Sequence, residues 1–242
     1  MKKLFLIVAA MFAVVPFLAC SDDDDNGGGS HASIVSQIIY QNEDGETVIW
    51  KFDYDNQGHI TKIYSDYSTT LFSYAAGKVE ITESYDGEDY VYSATLNGQG
   101  YIATLNADGS THNYSYDENG YVSKLTWGND GDLQCTWSNG DLINEHRTGD
   151  DPRDYNYEYT NYLAKQNIDI FAFTYGYCHV DDPEFIGAAG LVGRKNAHLI
   201  KSAAIPDGEN ISFSYELDSN GNPTKVTMSS KYETTAYKIL YK

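Results

Sequence analysis

Residues 114–125 read YSYDENGYVSKL, and variants of this pattern recur along the chain at intervals of about twenty residues. Each copy has an aromatic or apolar residue, polar residues that often include aspartate, a glycine and then apolar positions. Full copies begin at Phe52, Tyr114 and Phe213. Shorter copies begin at Phe72, Leu96 and Cys135. A regular interval of this kind indicates one supersecondary unit repeated many times.

Each copy is typical of a β-hairpin. Aspartate can start a type I turn, two polar residues occupy its tip, and glycine accepts the left-handed conformation that closes the loop with a bulge. Apolar and polar residues alternate up to the turns, as in Ile211, Phe213, Tyr215 and Leu217, which are separated by polar residues. This period of two predicts strands with one buried side and one side in water.

Consecutive hairpins predict an all-β fold over residues 34–242, an antiparallel meander of about ten to twelve strands. A twisted sheet of this size must curl or split, so we expect a soluble half-barrel or open barrel. The repeat leaves roughly seven residues for each strand, whereas strands that cross a membrane need about 9–11. The sequence therefore favours a barrel in water over a transmembrane barrel.

Residues 161–204 lack the hairpin pattern. Within them, Asp182-Pro183-Glu184 offers a helix cap, a proline at the first helical position and an acidic residue in the first turn. Apolar residues follow up to Leu191, so we predict a short helical insertion near 182–192 that covers the apolar face of the sheet. An irregular loop is the alternative, because Gly187 and Gly190 weaken a helix.

The N-terminus is typical of a cleaved lipoprotein signal. Lys2 and Lys3 precede an apolar run from Leu4 to Leu18, and a small residue precedes Cys20. A transmembrane helix is the alternative, but the run is shorter than the roughly 20 residues that a bilayer requires. We therefore predict a signal peptide at 1–19 and lipid attachment at Cys20, which would anchor the mature protein to the membrane.

Residues 20–33 form an acidic, glycine-rich tether, because Asp22 to Asp25 and Gly27 to Gly29 offer nothing apolar to bury. The formal net charge of −19 argues against nucleic acid as a partner. Two loops begin with the residue pattern of a calcium-binding EF-hand loop, at Asp53 and at Glu216. Their twelfth positions are Tyr64 and Thr227, so the bidentate glutamate is missing and aspartate as a turn former is favoured.

The sequence offers no catalytic motif. A nucleophile elbow, a phosphate-binding glycine loop and a zinc-binding His-Glu-x-x-His pair are all missing. His179 lies near Asp181 and Asp182, and His146 near Asp150, but neither group has a third partner. We therefore predict a protein that is not an enzyme and has no cofactor or metal. Beyond Cys20, a disulfide between Cys135 and Cys178 and two buried unpaired thiols fit the spacing equally well.

The aromatic residues, 22 Tyr, 9 Phe and 3 Trp, could stack against sugar rings. A hairpin that turns near Asp130 places Trp127 and Trp137 on the apolar side, where they join the core. Tyrosines in or near loops are better candidates for a binding surface, and these are Tyr64, Tyr67, Tyr85 and Tyr90.

Three pairs of stretches carry a resemblance to known proteins, and they are 159–161 with 167–169, 193–196 with Leu199, and 214–218 with 221–225. They resemble a family of Bacteroidetes lipoproteins of unknown function with a porin-like fold, and the hairpins resemble tyrosine-aspartate repeats. The resemblance covers nearly all of 34–242. The resemblance implies a fold and a lipid-anchored location at the outer membrane, with the cell surface favoured by the acidic run after Cys20. It supplies no catalytic or ligand-binding residues.

Two functional hypotheses follow. The first is a non-catalytic surface lipoprotein that acts as a binding or scaffold module for a glycan or an envelope protein. The second is a carrier that holds a lipid or another hydrophobic molecule in the concave face of the half-barrel. They differ in whether the concavity is a sealed core or an apolar cleft.

Overall fold

A computed structural model of the chain describes residues 33–41, 45–107, 109–127, 131–149, 152–174, 183, 185–205 and 210–242. These residues form sixteen strands and one short helix, α1 (Ile170–Thr174). The strands are β1 (Val35–Gln41), β2 (Thr47–Tyr54), β3 (Ile60–Tyr64), β4 (Ser68–Ala75), β5 (Lys78–Tyr85), β6 (Glu88–Leu96), β7 (Ile102–Ala107), β8 (Ser110–Tyr116), β9 (Val122–Trp127), β10 (Asp132–Ser138), β11 (Asp141–Arg147), β12 (Arg153–Leu163), β13 (His198–Ala204), β14 (Asn210–Leu217), β15 (Pro223–Ser229) and β16 (Thr234–Tyr241).

The strands close into an antiparallel barrel in which every strand pairs with its neighbours in sequence and β1 pairs with β16. Ile38 on β1 lies opposite Ile239 on β16. The prediction of an open half-barrel with ten to twelve strands was therefore wrong. Closure removes the two edges whose main-chain N–H and C=O groups would otherwise lack partners.

The error in strand number has a simple origin. The six copies of the sequence motif mark the six turns that join β2–β3, β4–β5, β6–β7, β8–β9, β10–β11 and β14–β15. The same end of the barrel has two further junctions, the long connection from β12 to β13 and the pairing of β1 with β16. Neither junction contains the motif, so the four strands that flank them were not counted.

Apolar side chains point into the barrel and polar ones point out. On β2, Val48, Trp50 and Phe52 are buried, whereas Thr47, Ile49, Lys51 and Asp53 are exposed. The predicted alternation on β14 is likewise confirmed, with Ile211 and Phe213 buried and Ser212 and Ser214 exposed. Trp127 and Trp137 pack against the same core, as the sequence predicted.

The aspartates of the motif act as turn formers, which confirms that interpretation. Asp117 Oδ1 accepts hydrogen bonds from the main-chain N–H groups of Asn119 and Tyr121, both at 2.9 Å. Asp55 and Asp218 bind the equivalent N–H groups of their own turns. Asn97 makes the same two bonds with an amide oxygen. A side-chain oxygen that mimics a main-chain acceptor thus sets the shape of each turn.

An aromatic side chain near the end of a strand at the plugged side binds the main chain of the preceding strand in seven of eight cases, the exception being β6, which ends at Leu96. Tyr116, at the end of β8, donates a hydrogen bond to the carbonyl of Ile102 at the start of β7, at 2.7 Å. The same bond is repeated around the barrel, each time between two neighbouring strands. It is made by Tyr54 to Val35, Tyr74 to Ile60, Trp137 to Val122, Tyr159 to Leu142, Tyr215 to Ile200 and Tyr241 to Pro223.

The connection from β12 to β13 enters the barrel. We call its described residues, 164–174, 183 and 185–197, the plug. Phe171 and Phe173 of α1 reach across the interior to Phe213, Trp50 and Phe52, with ring centroids 5.7–6.1 Å apart. Ile186, Leu191 and other apolar residues of the plug are buried in the same core. The expected cover for the apolar face is therefore present, and it lies inside a closed barrel.

The predicted helix near 182–192 was placed wrongly. Residues 185–190 form turns, and the helix lies at 170–174, after Asp169. Phe185 and Gly190 have φ angles of 63° and 74°, which an α-helix does not accept. Asp169 Oδ1 accepts hydrogen bonds from the N–H groups of Phe171 and Ala172, so aspartate caps the helix that forms.

Candidate functional site

The two ends of the barrel differ in character. One end carries the motif turns, the plug and both chain ends of the described barrel, and we call it the plugged end. Ser33 pairs with Gln166 of the plug there, and the N–H of Lys242 binds the carbonyl of Ile34. The turns at the opposite end connect each odd-numbered strand to the even-numbered strand that follows it, from β1–β2 to β15–β16.

The four tyrosines that the sequence favoured as a binding surface all lie at this opposite end, and we call them the tyrosine rim. Tyr64 ends β3, Tyr67 lies in the β3–β4 turn, Tyr85 ends β5 and Tyr90 lies near the start of β6. Tyr67, Tyr85 and Tyr90 expose 49%, 62% and 43% of their surface, and Tyr64 is half-buried. The structure therefore brings together residues that are up to 26 positions apart in the sequence.

The β5–β6 hairpin holds two of the rim tyrosines by its turn chemistry. Asp86 and Gly87 form its tip with φ angles of 52° and 83°. Two successive residues with positive φ are what a tight type I′ turn requires, and Asp-Gly is a favoured pair for it. The turn sets Tyr85 opposite Glu88 and Glu83 opposite Tyr90, so aromatic and acidic side chains alternate along the hairpin.

Carboxylates hold two of the four rim tyrosines by their hydroxyl groups. Tyr67 Oη donates to Glu46 Oε2 at 2.6 Å, which links the β1–β2 and β3–β4 turns. Tyr90 Oη donates to Glu88 Oε2 at 2.9 Å. These bonds fix the position of both rings through their hydroxyl groups.

The rim is acidic. Glu46, Asp66, Asp86, Glu88 and Asp89 are all exposed around it. Lys62 lies at its lower edge, with Nζ 4.1 Å from the centroid of the Tyr64 ring. A surface with this balance attracts cations and neutral hydrogen-bond donors and repels anions.

The plugged end carries a polar cluster that the sequence analysis missed. His198 Nδ1 lies 2.8 Å from Asp141 Oδ2, and the His198 N–H donates to Asp141 Oδ1 at 2.9 Å. Asn196 Oδ1 accepts from the N–H of Leu142 at 2.8 Å. The Tyr159 hydroxyl lies 2.9 Å from the same oxygen and 2.8 Å from the Leu142 carbonyl, so its one proton is shared between the two acceptors. These bonds fasten the end of the plug to β11 and β12.

Two buried charged groups belong to the same cluster. Lys195 Nζ donates to the main-chain carbonyls of Ala164 and Gln166, so the two halves of the plug are joined. Burial lowers the pKa of Lys195 and raises the pKa of Asp169, because both charged forms lose water. Coulomb attraction between the two groups opposes both effects.

The sequence held one signal for this cluster. Asp169 stands directly before Ile170 and Phe171, which is the pattern of a helix cap followed by apolar residues. The pairing of Asp141 with His198 gave no such signal, since the two residues are 57 positions apart.

Several predicted site residues lie outside the described residues. These are Cys20 with the signal and most of the tether, Cys178, His179, Asp150, Asp181 and Asp182. Cys135 faces the interior on β10, opposite Glu145 of β11. Because Cys178 lies outside the described residues, the disulfide between the two stays a prediction. His146 lies on the outer side, where its Nδ1 is 2.9 Å from Asp154 Oδ1.

Within the described ranges, no group of three or more His, Cys, Asp or Glu side chains is placed to hold a metal ion. In the same part of the chain, none of the helical structure is long and apolar enough to cross a membrane.

Comparisons with known proteins support the fold. No family model matches the sequence, and no curated protein matches it. Among solved structures, the chain is similar to a porin-like protein from Bacteroides uniformis, with a TM-score of 0.69 and 18% identity over 86% of this chain and 98% of that one. It is also similar to a porin-like protein from Bacteroides vulgatus, with a TM-score of 0.58 and 15% identity over 87% and 99%. The chain therefore has the fold of porin-like proteins of Bacteroides.

Proposed function

We propose that this protein is a non-catalytic, lipid-anchored binding module of the outer membrane, displayed on the cell surface, and that the tyrosine rim binds a glycan. One observation carries the proposal: the four tyrosines gather at the end of the barrel opposite the point where the chain enters it. A lipid at Cys20 would hold the plugged end near the membrane and turn the rim away from it.

The length of the tether is compatible with this orientation. The chain enters the barrel at Ser33, on the plugged end, through pairing with Gln166. Twelve residues separate Cys20 from Ser33, and an extended segment of that length reaches about 40 Å at most. The barrel can therefore stand clear of the lipid headgroups while its plugged end remains nearest to them.

The outer face of the barrel supports a location in water. Side chains that point outward include Lys51, Asp53, Glu80 and Ser93, at the middle of their strands as well as at the ends. A charged side chain on the lipid-facing side of a membrane barrel is costly, about 2–4 kcal/mol for a lysine near the bilayer midplane. Most of the apolar side chains lie inside, the reverse of the arrangement that a lipid-facing barrel needs, and the exposed ones, such as Ile49, Leu71 and Val91, are interspersed with polar residues.

Tyrosine is suited to sugar recognition because its ring offers a flat apolar face and its hydroxyl a polar edge at a low cost in side-chain entropy. On the rim, carboxylates such as Glu46 and Glu88 can accept hydrogen bonds from sugar hydroxyls. The excess of acids favours neutral or amino sugars over uronic acids or sulfated sugars.

An enzymatic role has less support. Asp169 and His198, two titratable groups of the plugged end, line a cavity of about 10 Å³, which has room for a water molecule and none for an organic substrate.

The carrier hypothesis also has less support. The plug packs into the interior through contacts such as Phe173 with Trp50 and Phe171 with Tyr157. A lipid would have to displace these aromatic contacts, and the cavity described above is far smaller than the several hundred Å³ that ligand pockets occupy.

The test is binding of the Cys20→Ala protein to an array of neutral, amino-sugar and acidic polysaccharides. We expect binding to a neutral or amino-sugar polymer, and a loss of at least tenfold in affinity when Tyr67, Tyr85 and Tyr90 are changed together to alanine. Tyr162→Ala is the matched control, because Tyr162 is 53% exposed and lies near the plugged end of β12. No binding across the array, or equal loss in the control, would overturn the proposal.

Lipid attachment has its own readout. Mass spectrometry of the protein purified from membranes should show an acylated N-terminal cysteine at Cys20, and the Cys20→Ala protein should leave the membrane fraction. An uncleaved or unacylated N-terminus would contradict the anchor while leaving the glycan experiment valid.

A further inference from the structure

A small internal cavity lies at the plugged end, between the plug and strands β13 and β14. Its volume is about 10 Å³, and its lining includes Gln166, Asp169, Asn196, His198 and Tyr215. A cavity of this size is comparable to the space required by a single water molecule.

Among the described residues, three polar side-chain atoms of this lining have no hydrogen-bond partner, although the main-chain N–H of Asn196 lies close enough to the Asp169 carboxyl to lower its pKa. The three atoms are Gln166 Oε1, Asp169 Oδ2 and Asn196 Nδ2. The three residues expose only 1%, 6% and 3% of their surface. Buried polar atoms in native proteins almost always have a partner, either protein or ordered water, so three around one cavity call for a common explanation.

Neighbouring bonds fix which side-chain atom is left over in Asn196 and in Asp169. Asn196 Oδ1 accepts a hydrogen bond from the N–H of Leu142, which can only donate, so the amide cannot be reversed and Nδ2 remains as a donor. Asp169 Oδ1 accepts two N–H groups at the start of α1, so Oδ2 remains as an acceptor. With Gln166 Oε1, the cavity offers one donor and two acceptors.

We propose that this cavity binds one internal water molecule. Its two hydrogens are donated to Gln166 Oε1 and Asp169 Oδ2, and its oxygen accepts the N–H of Asn196. Three hydrogen bonds are the usual number for a buried water, and the donor and acceptor set matches without a remainder.

A metal cation does not fit this set. The N–H of Asn196 is a donor, whereas cations such as calcium need six or more oxygen ligands. The nearby positive charge, Lys195 Nζ, is bound to the carbonyls of Ala164 and Gln166, and it disfavours a second cation close by.

The water would join three parts of the plug. Gln166 lies at its beginning, Asp169 caps α1, and Asn196 lies at its end, where it also binds β11 and β12. The water therefore connects the beginning and the end of the plug to each other. It also provides a hydrogen bond for the second oxygen of the Asp169 carboxylate.

The experiment is a high-resolution crystal structure of the protein combined with nuclear magnetic relaxation dispersion of solvent water, which counts long-lived internal waters. We expect an electron-density peak within about 3.2 Å of all three atoms, and one long-lived water that is lost in Gln166→Met. Gln57→Met is the matched control, because Gln57 is exposed at a turn tip, and it should keep the water.

Two outcomes would overturn the proposal. One is a peak with five or more oxygen ligands near 2.4 Å, which identifies a cation. The other is a closed cavity in which Asn196 Nδ2 donates directly to Gln166 Oε1 or Asp169 Oδ2. Because the wild-type structure distinguishes all three cases, the proposal stays testable even if Gln166→Met does not fold.

Discussion

The indole Nε1 of Trp137 on β10 donates a hydrogen bond to the main-chain carbonyl of Val122 on β9, at 2.6 Å. Tyrosine hydroxyls make the corresponding bond in six other strand pairs. The bond requires only an aromatic ring of sufficient length with a donor at its far end, which tryptophan also supplies. Where the motif has an aromatic residue at this position, a donor at a set distance matters rather than tyrosine itself, whereas the copy at Leu96 has no side-chain donor.

We expect Tyr116→Phe to lower the free energy of unfolding by about 1–3 kcal/mol, because the buried carbonyl of Ile102 loses its donor. Chemical denaturation measures the change. Tyr232→Phe is the control: Tyr232 is 75% exposed, so its effect should stay within about 0.5 kcal/mol. Equal effects of the two substitutions would contradict a structural role for the bond.

Gly193→Ala should destabilise the contact between the plug and the β8–β9 turn. Gly193 has a φ of 92°, and a Cβ there would lie 2.8 Å from the carbonyl oxygen of Gly120 and 3.0 Å from the Tyr116 ring. We expect a loss of at least roughly 1–3 kcal/mol from the backbone conformation alone. Gly98→Ala is the matched control, since its Cβ would meet nothing within 4 Å and its φ is not positive.

Alkaline unfolding should follow the buried tyrosines. Burial raises the pKa of Tyr54 and of Tyr237 from 10.0 to about 12. A raised pKa in the folded state means that the associated stability is fully present below pH 10 and is lost as the pH rises towards 12. Ultraviolet titration of tyrosinate should therefore show a late phase that shrinks in Tyr54→Phe. A single early phase for all tyrosines would count against this.

Acid should weaken the turn at Asp218. Hydrogen bonds from the Asn222 side chain and from the main-chain N–H of Asn222 hold the pKa of Asp218 below its usual 3.8. The stabilisation is present above the unfolded-state pKa and is lost as the pH falls through the lower folded value. Asn97 already makes the same two main-chain bonds without a charge.

Asp218→Asn tests this prediction. The variant should fold at neutral pH, and its difference in unfolding free energy from the wild type should shrink once the pH falls below 3.8. Carbon NMR of the Asp218 carboxyl should give a titration midpoint below 3.8. A midpoint at or above that value would show that the turn does not stabilise the charged form.

Local chemistry was predictable from the sequence, whereas closure was not. The alternation in β2 and β14, the turn role of Asp117 and the inward direction of Trp137 all depend on residues within a few positions of one another. The pairing of β1 with β16 depends on the summed twist and tilt of every strand, which no single stretch encodes. Counting the sequence motif could not predict this pairing, because no turn connects β1 to β16 where Ile38 lies opposite Ile239.

The plug was only partly predictable for a related reason. Its apolar composition indicated that it covers the core, but Phe185 and Gly190 adopt left-handed conformations that interrupt a helix. The tyrosine rim was found because turn-flanking tyrosines are visible in sequence. The polar cluster was missed because Asp141 and His198 become neighbours only when the plug returns to the barrel wall.

The pairing of β1 with β16 also constrains the order in which the protein can form. Adjacent strands from β1 to β12 can pair one after another as the chain emerges from its N-terminus, because each pairing is local in sequence. Until β16 arrives, however, β1 presents an open row of main-chain groups, and so does the growing side of the sheet. We therefore expect the tendency to self-associate to fall only once β16 is present and pairs with β1. A chain that stops before β16 should aggregate rather than form a shorter barrel.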